Sequence, residues 1–295
     1  IAFLLISLLV YNSVYAADDK TFFWKVTPDQ SSTDGVTVYL MGSIHFADKS
    51  FYPLRDEITE AFRSSQHLVV ELDVKKIDHD AYNRMLTERG VFQDGRTIRD
   101  VITKETWLQL RQRLTRLNID YETVKHYRPG IMVLTLSAVQ VMQMGFDPDL
   151  GIDVHFLELA SSPDDPKKII ELETLEQQMD LFLNIPNGDL LLKESLYSLD
   201  ESELMMTDMV RYWKLGDEEQ MSRMLFEDAL DDYPAFSDIY DSLFYDRNDA
   251  MRKKIETMLG QKSGTFFVVM GTGHLVGDKG IVNELRKKGY VVERR

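Results

Sequence analysis

One phrase occurs twice, once near each end of the chain, and it restricts the available folds more than any other feature. The first copy reads Val38-Tyr39-Leu40-Met41-Gly42-Ser43-Ile44-His45 and the second Phe267-Val268-Val269-Met270-Gly271-Thr272-Gly273-His274. In both, an apolar run stops at Met-Gly and a histidine stands three residues after the glycine. The echo continues through Asp48-Lys49 and a helical stretch to Leu68-Val69-Val70-Glu71-Leu72, and through Asp278-Lys279 and a second helical stretch to Tyr290-Val291-Val292-Glu293. The reading is a duplicated β-turn-α-β unit, the grammar of parallel strands joined by a crossover. Two such units predict imidazoles at equivalent ends of two strands, the edge at which open α/β sheets bind ligands.

Further strands are predicted at Thr21 to Val26 and at Lys168 to Leu172, and a turn-rich loop at Pro28 to Gly35. Pro53 is read as opening a helix that reaches Ser64. Between about 78 and 259 the pattern is helical. Trp107, Leu108, Leu110, Leu114 and Leu117 recur at helical spacing. Ile131 to Phe146 is apolar but carries Thr135, Ser137, Gln140 and Gln143, so it reads as a buried helix with Met132, Met142 and Met144 as core filler. Breaks are expected at Pro186-Asn187-Gly188 and Leu215-Gly216-Asp217. The predicted fold is α/β: a mixed, largely parallel central sheet built from both chain ends, with a large helical insertion. Residues 17–295 form a single domain in this reading.

The chain of 295 residues has a formal charge of −15 and no cysteine. The charge argues against nucleic acid as a partner, because phosphate binding needs a basic stripe. The acidic run from Asp200 to Asp249 reads as a solvated face. Without cysteine there are no disulfides, no thiolate ligands and no cysteine nucleophile, so any metal must use His, Asp and Glu. Ile1 to Val10 is an apolar run followed by Val14 and Ala16 at cleavage positions, the pattern of a signal peptide over residues 1–16. The expectation is an exported protein, periplasmic or secreted, that meets a membrane only if this segment stays uncleaved.

The chemistry-bearing candidates are His45, His274 and Glu71. Gly42 and Gly271 would let the backbone turn sharply or approach a ligand closely. Imidazoles beyond those glycines can bind metal or shuttle a proton. Glu71 interrupts an apolar strand, and a buried carboxylate needs a partner or a metal. Glu293 is its mate in the repeat but lies almost at the end of the chain. Asp147 to Glu158 imitates a calcium loop, yet its sixth position is Ile152 where an EF-hand requires glycine. His155 and Glu158 lie one helical turn apart and read as an interior contact. There is no His-Glu-x-x-His, Gly-x-Ser-x-Gly or phosphate-cradling glycine loop.

Met41-Gly42-Ser43-Ile44-His45, Val70-Glu71, Gly151-Ile152-Asp153, Leu172-Glu173-Thr174-Leu175-Glu176-Gln177-Gln178 and Met270-Gly271-Thr272-Gly273-His274 together resemble the TraB/GumN family. That family includes the Tiki-type metalloproteases. The resemblance runs from about Phe22 to the C-terminus. It implies a fold similar to erythromycin esterase and haem-uptake ChaN-like proteins. It also implies a divalent-metal-dependent protease whose functional residues carry over to His45, His274 and Glu71. Manganese or cobalt is the implied cofactor; zinc is an alternative, since His and carboxylate donors accept several divalent ions. The expected activity is hydrolysis of a peptide or small-molecule substrate, with Glu71 as ligand or general base. Two rivals are a metal-free esterase with a histidine base and a haem- or metal-binding uptake protein without turnover.

Overall fold

The computed structural model describes residues 20–28, 35–200 and 202–295, with the backbone alone at 200 and 202–205. The expected leader at residues 1–16 and most of the Pro28 to Gly35 loop lie outside the described residues. One six-stranded sheet organises the chain: β1 (Phe23–Thr27), β2 (Val36–Ser43), β3 (His67–Val70), β4 (Lys168–Glu171), β5 (Gly264–Gly271) and β6 (Val291–Arg294). Their order across the sheet is β4-β3-β5-β2-β1-β6. β2, β5, β3 and β4 pair in parallel, while β1 is antiparallel to both β2 and β6. The mixed, largely parallel α/β class is therefore as the sequence predicts.

Position in the sheet follows from composition. β2 and β5 are apolar on nearly every residue and lie buried at the centre, as strands covered on both faces must be. β4 and β6 carry Lys168, Glu171, Glu293 and Arg294 and form the edges, where charge blunts further pairing.

Two expectations about neighbours need correction. β2 and β3 are parallel but do not touch, because β5 lies between them. β5 matches all eight residues of β2 in register, whereas β3 has only four residues. The long apolar strand is thus the better partner for β2. β6 does not join β5 either; it closes the far edge against β1, with the Arg294 guanidinium over the Trp24 ring at 4.3 Å. The two halves of the sequence echo therefore occupy non-equivalent places in the sheet.

Apart from β4, the insertion is built of helices and the turns between them. The Pro129–Gln143 helix buries Ile131, Met132, Val133 and Leu136, and its buried Gln140 accepts a hydrogen bond from Arg113 Nη1 at 3.0 Å. Met132 is core, but Met142 is exposed and Met144 half-buried, so only one of the three expected filler methionines fills the core. In the Lys104–Arg116 helix, Leu110 and Leu114 face inward and Leu108 faces out. The helix after Pro53 begins only at Asp56, where Asp56 and Glu57 place two acids in its first turn. No helix among the described residues is long and apolar enough to cross a membrane.

The matched glycines do different work. A Cβ on Gly42 would lie 2.7 Å from Phe22 Cβ and 2.8 Å from Thr272 Oγ1. Its N–H donates to the Phe22 carbonyl, and its own carbonyl accepts from Trp213 Nε1 at 2.9 Å. Gly42 is a packing glycine between the sheet and its cover. Gly42→Ala should lower unfolding free energy by about 1–3 kcal/mol through overpacking. Urea denaturation checks this, and an unchanged midpoint would refute the packing role.

Candidate active site

Four parallel strands end at one edge, and each delivers a polar group there. Across the sheet they are Glu173 after β4, Glu71 after β3, the Gly271 N–H at the end of β5 with His274 beyond it, and His45 after β2. The register explains the alignment: Ser43 pairs with Gly271, and Val70 with Val269. The three candidates His45, Glu71 and His274 are brought together because β5 inserts between the strands that carry the other two. A Cβ built on Gly271 would stand 3.4 Å from Glu71 Oε1, 3.6 Å from His274 Cδ2 and 3.7 Å from His45 Nε2. Gly271 thus leaves open the space on which the three side chains converge. Glu293 is remote, on β6 opposite Lys25.

Glu71 is buried, not a solvent-facing strand end. Its Oε1 accepts from the Gly271 N–H at 2.7 Å, and its Oε2 accepts from Arg247 Nη2 at 2.8 Å and Gln178 Nε2 at 3.4 Å. Arg247 also forks onto Glu173, with Nε to Oε1 at 2.8 Å and Nη2 to Oε2 at 2.6 Å. Burial alone would raise the Glu71 pKa. The charges of His274, His45 and Arg247, together with the Gly271 hydrogen bond, outweigh it and bring the pKa down to about 2. A carboxylate held so firmly ionised suits holding positive charge better than taking a proton.

The histidines share one design. His274 lies in the short Thr272–Leu275 helix, and its side chain is 5% exposed. Its Nδ1 is 2.6 Å from Asn248 Oδ1, while Asn248 Nδ2 donates to the Lys279 carbonyl at 3.1 Å. The amide orientation makes Nδ1 the protonated nitrogen and leaves Nε2 bare, 3.8 Å from Glu71 Oε1. Burial brings the His274 pKa down to about 4, against the opposing charge of Glu71. His45 stands in the loop after β2, with its side chain 57% exposed and Nδ1 3.0 Å from Asp153 Oδ1. The charge and hydrogen bond of Asp153 raise its pKa to about 9, which favours the imidazolium at neutral pH. Both rings have Nδ1 anchored by a side-chain oxygen and Nε2 turned to the shared space.

That anchoring is the pattern of metal-ligating histidines, whose second nitrogen donates to a carboxylate or carbonyl. Among the described residues no three His, Asp or Glu side chains form a ready-made chelating group. Glu71 is engaged instead by Arg247 and the Gly271 N–H. The donor types are nevertheless those a divalent ion takes: His45 Nε2, the His274 ring edge and Glu71 Oε1 border the volume a Gly271 side chain would fill.

Sequence reasoning missed most of the supporting residues. Asp153 stands in the rejected calcium-like run, yet Gly151-Ile152-Asp153 has a clear purpose. A Cβ on Gly151 would meet the His45 carbonyl at 2.4 Å, Ile152 N–H donates to the Ile44 carbonyl, and Asp153 holds the His45 ring. The Leu172 to Gln178 phrase divides in two. Thr174 and Gln177 form a capping box for the Leu175–Leu183 helix, while Glu173 and Gln178 face Arg247 and Glu71. Arg247 and Asn248 carried no local signal in a polar helix. His155 packs on the Tyr52 ring at 4.9 Å and Glu158 pairs with Lys75 Nζ at 3.1 Å, so that pair holds nothing jointly. The centre opens into a cavity of about 500 Å³ whose walls include Ile44, Phe182, Met209, Leu225 and Phe244.

The edge of the parallel strands, bearing two anchored imidazoles and a clamped carboxylate beside a cavity, makes this an α/β protein with one candidate site at its sheet edge. The chain matches the TraB/PrgY/gumN family over residues 22–294 and belongs to that family. It is similar to the uncharacterized protein YbaP of Escherichia coli strain K12, at 25% identity over 84% of this chain and 87% of that protein. It is also similar to metalloprotease TIKI2 of Xenopus tropicalis, at 23% identity over 94% of this chain and 60% of that protein. Human metalloprotease TIKI1 is 20% identical over 93% of this chain and 62% of its own length. No solved structure matches the chain.

The two histidines predict opposite pH limbs. His274, lowered from 6.5 to about 4, contributes stability that is fully present above pH 6.5 and lost as pH falls toward 4. His45, raised from 6.5 to about 9, contributes stability that is present below pH 6.5 and lost as pH rises through 9. Melting temperatures measured across pH should show the acid limb flattened in His274→Gln and the alkaline limb flattened in Asp153→Asn. Limbs identical to the wild type would refute these assignments.

Proposed function

We propose that this protein is an exported, metal-dependent hydrolase that cleaves peptide or related acyl bonds. The observation that carries the reading is the pair of imidazoles with Nδ1 anchored and Nε2 directed at Glu71 across Gly271. The similarity to the TIKI metalloproteases supports it, and the apolar leader-like start of the chain supports export.

His45 and His274 would hold the ion through Nε2, with Glu71 as the anionic donor. A bound divalent ion of this type, manganese, cobalt or zinc, supplies an acidic water and polarises a carbonyl. The chain's residues do the rest. Asp153 and Asn248 fix the ring orientations. Arg247 and Gln178 hold the Glu71 carboxylate in place, and Arg247 balances the second charge on Glu173. The apolar walls exclude water from the bond to be cut, which strengthens the electrostatics of the site. A second reading rests on the His45–Asp153 pair, which is oriented like a base and its partner. It would be a metal-free histidine esterase, with activity that survives chelation and rises toward pH 9.

Metal analysis of the purified protein tests the first reading. Wild type should take up about one divalent ion per chain, and His45→Ala and His274→Ala should each take up none. Affinity should rise roughly tenfold per pH unit below about 9, because His45 must release a proton to ligate. No uptake of manganese, cobalt or zinc would overturn the metal reading. Gly271→Ala should fold with nearly the wild-type melting temperature but lose the ion, since its Cβ enters the shared space. An alanine variant with wild-type uptake would disprove that placement.

A further inference from the structure

A second cavity lies next to the first, inside the helical insertion. It measures about 370 Å³, within the range of small-molecule pockets. Phe182, Met206, Met209, Leu225 and Phe244 line both cavities, so the two adjoin there and these side chains would form an apolar neck between them. Methionine is unbranched and polarisable, and a neck lined by it adapts to a flexible chain. Phe244 marks the route. Its ring centroid is 5.4 Å from that of His274 and 6.3 Å from that of Tyr240.

The far chamber changes character. Ser195, Ser198, Tyr240 and Glu194 join its lining. Glu194 Oε1 accepts from Ser198 Oγ at 2.9 Å and from Tyr240 Oη at 3.1 Å. Among the described residues nothing donates to Glu194 Oε2. Among the described residues the lining contains two carboxyls, Glu194 and Asp228, and no Lys, Arg or His. Asp228 has its own cation, Arg223, at 3.1 Å. Glu194 has none among the described residues, and burial pushes its pKa up. Glu194 is half-buried at the chamber wall, and a carboxyl drawn into an apolar lining with one oxygen open is placed to take a cation or a hydrogen-bond donor.

We infer that the second chamber is a specificity subsite for a linear apolar chain ending in a cationic or hydrogen-bond-donating group, which Glu194 receives. The chain would thread the methionine neck from the centre at His274. Glu194 is reached from that centre past two aromatic rings, Phe244 and Tyr240. The inference rests on the hydrolase reading only for what the arm is attached to; the subsite itself requires no turnover.

Calorimetric titration of the full chain tests it, with dodecylammonium, dodecanoate and an apolar tetrapeptide ending in lysine amide as probes. At least one of the two cationic probes should bind one per chain and about tenfold or more tighter than dodecanoate, as a charge-assisted contact requires. The alkyl and peptide arms distinguish the source of the chain. Glu194→Gln should bring the preference near unity, and Leu225→Trp should block all three by filling the neck. The titrations use protein stripped of divalent ions, so failure of the hydrolase reading would leave this result standing. No saturable binding of either cationic probe, or a preference that survives in Glu194→Gln, would overturn the inference. Circular dichroism of both cavity variants confirms that they are folded.

Discussion

The structure depends on one buried cluster of charge. Arg247 stands between Glu71 and Glu173, and all three side chains are largely removed from water. Two buried carboxylates cannot coexist without a cation, and breaking such a cluster costs about 3–5 kcal/mol. The cluster also ties together distant parts of the chain. Glu71 follows β3, Glu173 follows β4, and Arg247 belongs to the Asp246–Leu259 helix that closes the insertion. Docking that helix onto the sheet edge brings the next residue, Asn248, onto His274. A single ion cluster therefore sets both the charge state of Glu71 and the tautomer of one histidine.

The two imidazoles are alike in pattern and unlike in state. One is buried against an amide and neutral; the other is exposed against a carboxylate and charged. The difference arises in the turns after the strands. Gly271 leads straight into a helical turn that tucks His274 under Phe244, while the chain after Ser43 runs outward until Gly151 and Asp153 catch it. Pairs of titratable groups driven apart in pKa are a common mark of sites that move protons or hold ions.

Much of this was legible in the chain. Apolar runs gave the strands, and Met-Gly endings located the edge where the three candidates meet. The breaks at Pro186-Asn187-Gly188 and after Leu215 fall where helices stop. Strand neighbours were not legible, because adjacency is a competition among strands and local sequence records only each strand's own apolarity. Met142 and Leu108 sit at helical spacing but face out, since periodicity defines a stripe and not which edge of it is covered. Arg247 and Asn248 were invisible for a related reason: a polar pair in a charge-rich helix looks solvated until another element buries it.

The residue types at the site, the absence of thiol chemistry and the largely parallel sheet all follow from the chain's own pattern. These are local properties, set by side-chain chemistry, apolar runs and turn glycines. The tertiary structure decided which strands adjoin, which glycine packs and which leaves room, and that Glu71 is a clamped anion and not a free base. Each of those depends on contacts between residues a hundred or more positions apart, such as Glu71 with Gly271 and Arg247 or His45 with Asp153. Desolvation and charge pairing act through space, so they took their values only when the helical insertion closed on the sheet.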